Sequence, residues 1–514
     1  MNTLIRFLSA LSVLAQIGFL YLFVHHNSPG LSSTALVGAI ALIYGLLWTS
    51  AAVYLIGSLS GASPADRNSV VVARVLMLAS GTALLAIFFD ATVTDYYQPL
   101  SLYDDAIAAL AVSWGSLILA LLTAIVIAPR LPLNTLRGAL ATSLVALMGL
   151  PLAASLNHIN QPQTGDAVDA VADIFVGGQQ GYDIYRIPAL IVIPAGSKLA
   201  NGDSLQHDRL LAFAEARRDG NLDTGVIDLV MRYSDDGGKK WSEQQLVCRH
   251  EVDGKQGKCG NATPVYDAQA GNVVLAYNLS GLPGDGPHRR SHSAHIKLSL
   301  DGGLSWGEPM EVARDNFVFG PGHGIQKQVD PAKGRLVIPG YVDTHAQVLY
   351  SDDHGKSWLR GAPLDTGNET EVAELADGRL YLTTRHRAPI GRPPSPNGRL
   401  YSYSEDGGNN WSATSLDTAL TTPICQASVL SHDSGQLLFS NPSHPRSRVR
   451  LKIKASADAG KSWQRTLLVY AGPAGYSQLA SDSEGNVYAL FENGVMSYSE
   501  KITLARIPVS AITR

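Results

Sequence analysis

The chain of 514 residues is poor in cysteine, and its net charge is small. Three Cys cannot build a disulfide framework. Cys248 and Cys259 flank a short polar loop and can bridge in an oxidising compartment, while Cys425 has no partner. With 40 Lys and Arg against 44 Asp and Glu, the formal charge of −4 offers no electrostatic footprint for nucleic acid. The 14 His are scattered, and Pro321-Gly322-His323-Gly324 lacks metal-ligand spacing. Neither a metal nor another cofactor is expected.

Basic residues are missing most conspicuously from the first 157 positions, which hold no Lys and only Arg6, Arg67, Arg74, Arg130 and Arg137. Five apolar runs occupy that region: Leu4–Val24, Ala35–Leu59, Val70–Asp90, Ala106–Ala128 and Gly138–Leu156. Each is close to the roughly 20 residues that cross a bilayer core. None carries the charged face of a soluble amphipathic helix, and their Gly, Ala and Ser permit close helix packing. The sequence therefore predicts an all-α, multi-span membrane region over residues 1–157 that contacts the lipid bilayer. The loops His25–Ser33 and Thr92–Asp105 contain no Lys or Arg, so every Arg falls on one side of the membrane. The positive-inside rule makes that side cytoplasmic. Everything after Asn157 is then expected outside, on the periplasmic or exterior face of a bacterial cytoplasmic membrane. A signal-type cleavage near Leu152–Ser155 is the alternative reading of the last run. A polar linker, 158–173, follows.

What the remainder has in plenty is one turn, S-x-D-x-G-x-x-W. It occurs at Ser234-Asp236-Gly238-Trp241, Ser299-Asp301-Gly303-Trp306, Ser351-Asp353-Gly355-Trp358, Ser404-Asp406-Gly408-Trp411 and Ser456-Asp458-Gly460-Trp463. Successive serines lie 65, 52, 53 and 52 residues apart by their numbering. A regular period near 50 suits one four-stranded propeller blade per repeat. The glycines supply the positive φ of a tight hairpin, and the Asp carboxylate can accept N–H groups of the turn. The box is thus a scaffold device, and chemistry has to come from between the boxes. Five such Asp-boxes resemble those of the sialidase (neuraminidase) superfamily. The resemblance implies a mainly β fold, a six-bladed β-propeller over residues 174–514, closed by pairing of its N- and C-terminal strands.

Arg186 lies in the strand-like run Gly181–Leu190, where an arginine needs a counter-charge or a ligand. Its setting, Tyr185-Arg186-Ile187-Pro188 ahead of the first box, is similar to the opening motif of bacterial sialidases and the lysosomal animal enzyme. The likeness covers about 174–514. It implies an exo-α-sialidase that releases terminal sialic acid from sialylated glycans: glycoproteins, oligosaccharides or gangliosides. Such a substrate bears a carboxylate on its anomeric carbon, and arginine binds carboxylates with a bidentate fork that lysine lacks. By resemblance Arg186, Arg385 and Arg448 form the carboxylate-binding triad. Arg387 is a rival for the second, and Arg446 and Arg450 are rivals for the third. Glu492 matches the acid that steadies the first arginine, and Arg217 an arginine that contacts the sugar. Asp223, in Leu222-Asp223-Thr224-Gly225, matches the acid/base, with Asp219 and Asp228 as competing carboxylates. Glu369 matches the base and Tyr476 the nucleophile; Glu371 and Glu374 are then expected to point outward and to be structural. Two alternatives share these residues in part. One is a trans-sialidase, with a sugar acceptor in place of water. The other is a silent propeller that binds sialylated glycans, although a lectin needs the arginines and not Asp223, Glu369 and Tyr476 as well.

Overall fold

The computed structural model describes residues 164–514, apart from 222, 224, 253, 282–291, 387–395, 446, 495–496 and 514. The chain divides into two compact units, Met1–Gln161 and Pro162–Arg514. The five expected spans fall outside the described residues. Among the described residues no helix is long and apolar enough to cross a membrane.

The second unit is mainly β, built from consecutive four-stranded antiparallel meanders. The first runs Ile184–Ile193, Arg209–Arg217, Ile227–Ser234 and Gln245–Cys248. The second is Lys258–Asp267, Asn272–Ser280, Ser293–Ser299 and Met310–Ala313. In the third, Val318–Phe319 and Ile325–Gln326 share one edge of Leu336–Val342, followed by His345–Ser351 and Leu359–Arg360. Thr370–Glu374, Leu380–Thr384, Arg399–Ser404 and Ser415–Asp417 make the fourth. The fifth is Ser428–Ser431, Leu437–Pro442, Val449–Ser456 and the first half of the long strand Arg465–Ser481. The second half of that strand opens a sixth meander with Val487–Asn493 and Lys501–Ile507. Its fourth strand is Ala170–Val176, from the other end of the unit, in register from Ala170↔Arg506 to Val176↔Lys501. This strand begins inside the segment 158–173 that reads as linker in the sequence. A five-residue helix, Val509–Thr513, follows the last strand.

Side chains alternate across a strand, so each meander offers one face to the meander before it and one to the meander after. Along Arg209–Arg217, Leu211 and Phe213 pack toward Val273 and Leu275 of the second meander, while Leu210 and Ala212 pack toward Tyr488 and Leu504 of the sixth. Equivalent clusters join the second to the third, third to fourth, fourth to fifth and fifth to sixth. Burial of a large apolar side chain contributes about 1.5–3 kcal/mol, so the core is a ring of such interfaces. The meanders curl into an arrangement consistent with a sialidase-type β-propeller.

Each Asp-box forms the turn after the third strand of meanders one to five. In the box at Ser351, the hydroxyl donates to Asp353 Oδ1 (2.8 Å) and accepts the Gly355 N–H (2.8 Å), while Asp353 Oδ1 accepts the Ser357 N–H at 2.8 Å. The ring N–H of Trp358 reaches back to the Gly355 carbonyl at 3.1 Å. The Ser–Asp and Ser–Gly bonds recur in the other four boxes. Cys248 and Cys259 are joined as a disulfide between the first and second meanders.

Candidate active site

Antiparallel alternation puts the starts of first and third strands, and the ends of second strands, at one end of a meander. The box turns, after third strands, lie at the other end. Arg186 is near the start of Ile184–Ile193 and Arg217 ends Arg209–Arg217. Glu369 precedes Thr370–Glu374, Arg385 follows Leu380–Thr384, and Arg448 precedes Val449–Ser456. Tyr476 stands where Arg465–Ser481 begins to pair with Val487–Asn493, the strand that carries Glu492. All of the sequence-predicted site residues named here therefore gather at the box-free end.

Several of these strands are bulged there. Pairing of Ile184–Ile193 slips between Arg186 and Ala189, where Ile187 takes φ 58°. A β-branched residue at positive φ is strained. Pro188 has no N–H to offer the ladder, and a bulge re-aims the side chain beside it. Register also shifts at Gly260/Thr263, Val449/Leu451 and Ala474/Ser477.

Tyr476 is the hub. Its hydroxyl donates a short hydrogen bond to Glu369 Oε1, and Arg385 Nη1 donates to the same hydroxyl (3.4 Å) and to Glu369 Oε2 (2.7 Å). The guanidinium carbons of Arg186 and Arg448 each lie 5.3 Å from the centre of its ring. Glu492 is fully buried, yet its oxygens are well supplied with donors: Arg186 Nε (3.0 Å) and Nη2 (3.2 Å), the Ile187 N–H (2.8 Å) and the Tyr476 N–H (3.0 Å). It fixes the first arginine and the tyrosine backbone together. Arg448 Nη2 is steadied by the Ile424 carbonyl at 2.8 Å. Arg387 and Arg446 lie outside the described residues.

Electrostatics divide the Tyr476–Glu369 pair into acid and base. Burial and the Glu369 charge push the phenol well above its usual value, against Arg385 and Arg448. Burial opposes ionisation of Glu369 too, but Arg385 and the phenol hydrogen bond outweigh it and hold the carboxyl below its ordinary range. A neutral phenol thus faces an ionised carboxylate.

The three aspartates that follow Arg217 separate cleanly. Asp228 is buried and held by Arg249 (2.7 and 3.0 Å), Arg218 (3.0 Å) and the Tyr182 hydroxyl (2.7 Å). Asp219 accepts the Val226 N–H at 3.0 Å and closes the loop. Asp223 keeps 61% of its side chain exposed, 2.9 Å from Arg217 Nη1 and 3.9 Å from Arg186 Nη1. Desolvation opposes its ionisation, yet Arg217, Arg186 and Lys258 prevail and keep its carboxyl below the ordinary range.

Sequence reasoning missed Glu215, which lies fully buried beneath this loop. It takes Arg217 Nη2 at 2.6 Å, Lys258 Nζ at 3.1 Å and the Asn261 N–H at 3.0 Å. The available signal was a carboxylate two residues before Arg217 in a strand, hence on the same face. Glu374 binds buried Lys327 at 2.6 Å, a structural role. Glu371, expected to point outward, is instead fully buried, with Oε2 2.9 Å from His323 Nδ1 and Oε1 accepting the His323 N–H at 3.1 Å. Both faces of its strand are covered, because the strand is the first of its meander and packs against neighbouring meanders.

A family profile described as a BNR repeat-like domain matches residues 208–489. The chain is 29% identical over 399 residues to a sialidase of Micromonospora viridifaciens, a match covering 72% of this chain and 57% of that protein's length. It is 27% identical over 411 residues to Sialidase-3 of Mus musculus, covering 64% of this chain and 92% of the relative. Among solved structures, a Hadza microbial sialidase superposes with TM-score 0.56 at 25% identity, over 67% of this chain and 69% of that one. A leech intramolecular trans-sialidase, at TM-score 0.54 and 18% identity over 70% and 72% of the two chains, is alike in fold.

Proposed function

Because the chain belongs to the sialidase superfamily and carries its BNR (Asp-box) repeats, we propose that it is a retaining exo-α-sialidase with a six-bladed propeller. The six meanders are its blades. The observation that carries the reading is the hydroxyl of Tyr476 bonded between Glu369 and Arg385, with Arg186 and Arg448 against the ring. A glycan-binding protein without catalysis would have no use for a phenol paired with a base.

The chemistry follows from charge. Arg186, Arg385 and Arg448 take the sialic acid carboxylate. One Arg–carboxylate pair at 4 Å is worth about 4 kcal/mol at an effective dielectric near 20, before desolvation. The anomeric carbon beside that carboxylate repels an anionic nucleophile, whereas a neutral phenol can approach. With a pKa of about 10 in water, a phenol attacks poorly unless a base removes its proton. Glu369, ionised and in contact, is that base. Tyrosine as nucleophile is a known exception among retaining glycosidases. Asp223 protonates the departing glycosidic oxygen, and afterwards deprotonates the water that releases sialic acid from Tyr476, whose departing oxygen takes its proton back from Glu369. Arg217 and Arg186 hold the Asp223 carboxyl ionised, so it must gain its proton when substrate arrives. The substrate carboxylate then offsets Arg186 and the sugar displaces water, both of which raise its pKa. Arg217 contacts the sugar beside it.

The test is incubation with a fluorogenic α-sialoside, following the first-formed sugar by NMR. Release of the α-anomer is expected. Release of the β-anomer, or no cleavage of any sialoside, contradicts the reading.

The same proposal extends to place. Residues 1–157 anchor the protein in the cytoplasmic membrane with the propeller outside, where sialylated glycans are met; the one-sided Arg distribution supports this. Protease added to intact spheroplasts should digest the propeller. Protection lost only on lysis would reverse the topology.

A further inference from the structure

Tyr498 lies in the turn between Val487–Asn493 and Lys501–Ile507, at the site end of the sixth meander. Its ring centre is 5.2 Å from the guanidinium carbon of Arg186 and 4.9 Å from that of Arg448. Each of these arginines therefore meets two aromatic rings, those of Tyr476 and Tyr498. The turn is built to hold the ring there. The Ser497 N–H donates to Glu500 Oε1 at 2.7 Å, and the Ser497 and Ser499 hydroxyls are 2.9 Å apart. Gly475, the residue before Tyr476, leaves the necessary space: a Cβ at this position would lie 2.8 Å from Tyr498 Cδ2 and 2.1 Å from Glu492 Oε2.

Two guanidinium groups gathered for one carboxylate repel each other until that carboxylate binds. Glu492 offsets Arg186 directly, but no carboxylate among the described residues makes an ion pair with Arg448. An aromatic face attracts a cation through its quadrupole without adding an anion that would repel the substrate. We infer that Tyr498 is a positioning residue of the carboxylate site: its ring, with that of Tyr476, holds Arg186 and Arg448 side by side against their mutual repulsion. The inference rests on the reading of these arginines as the sialic acid carboxylate site. The Tyr498 hydroxyl plays no part in it.

The experiment compares full-length wild type with Tyr498→Phe, Tyr498→Leu and a protein carrying 3,4,5-trifluorophenylalanine at this position. The last keeps the ring's shape while draining its quadrupole, which guards against misfolding of the leucine variant. KM and kcat are measured with a fluorogenic sialoside, and Kd for free sialic acid by calorimetry. Tyr498→Phe should match wild type. Loss of cation–π attraction at buried Arg186 and half-buried Arg448 should raise KM and Kd about tenfold in Tyr498→Leu, with kcat changed by less than about threefold. The fluorinated ring should shift both in the same direction by a smaller factor. Unchanged KM in the leucine and fluorinated proteins, with wild type active, overturns the role of Tyr498 alone. Tyr498→Phe as impaired as Tyr498→Leu also overturns it, because the hydroxyl would then be what matters. A folded wild type that neither cleaves a sialoside nor binds sialic acid overturns the sialidase reading, and this inference with it.

Discussion

At the scale of single residues, environment assigns roles that composition leaves equal. Asp219, Asp223 and Asp228 all follow Arg217, but Asp228 is saturated by two arginines and a tyrosine, and Asp219 closes the loop. Only Asp223 is both open to solvent and beside two site arginines. General acid catalysis is typically worth about 10²–10⁴-fold, most where the leaving group is a poor one. Asp223→Asn should therefore lose about that factor in kcat on sialyllactose, and clearly less on an aryl sialoside whose phenolate leaves unaided. Equal losses on both would mean that Asp223 does not protonate the leaving group. Arg186 was singled out by its local motif, and Tyr476 by the family resemblance. Lys258 and Tyr498 were missed, since their partners come from other strands and turns with no period linking them, and Glu215, although two residues from Arg217 on one strand, takes its other partners from elsewhere.

At the scale of elements, the bulges do what regular strands cannot. Two residues, Ile187 and Pro188, are fitted where the partner strand gives one, so Arg186 reaches Glu492 and Tyr476. Alternation alone places Glu371 on a strand without saying whether the second face meets solvent. In a stack of meanders it meets another meander. Burial raises the Glu371 carboxyl above its ordinary value of 4.5, against the pull of His323 and Arg399. A raised folded-state value means that the neutral acid's contribution to stability is complete below the ordinary value and is lost as pH rises through the folded one. Glu371→Gln stays neutral throughout. Its melting temperature should match wild type near pH 4 and exceed it progressively as pH rises through that folded-state value. A deficit relative to wild type that grows as pH rises would show the carboxyl to be needed ionised.

At the scale of the molecule, the five boxes count all meanders but one, and the sixth carries none. It is completed by a strand from the far end of the unit, Ala170–Val176 against Lys501–Ile507. The box period made the repeat legible, while the start of the first strand inside an apparent linker had no marker in its residues. Phe175 is buried in the cluster that joins the sixth meander to the first. Phe175→Ala should cost about 3–5 kcal/mol, read as a lower urea midpoint, with KM of the folded enzyme unchanged. A variant as stable as wild type would mean that this strand does not close the ring. The ring's consequence is convergence: Arg186, Glu369, Arg385, Arg448 and Glu492, drawn from four meanders, all meet at Tyr476. The most direct measurement is to trap that residue. A 3-fluorosialosyl fluoride, whose anomeric fluoride leaves readily while the fluorine at C3 slows hydrolysis of the intermediate, loads the enzyme, and mass spectrometry of the digested protein then locates the sugar. One sialosyl adduct is expected on the peptide containing Tyr476, absent in Tyr476→Phe; an adduct on Glu369 or Asp223 instead would rule out the tyrosine nucleophile.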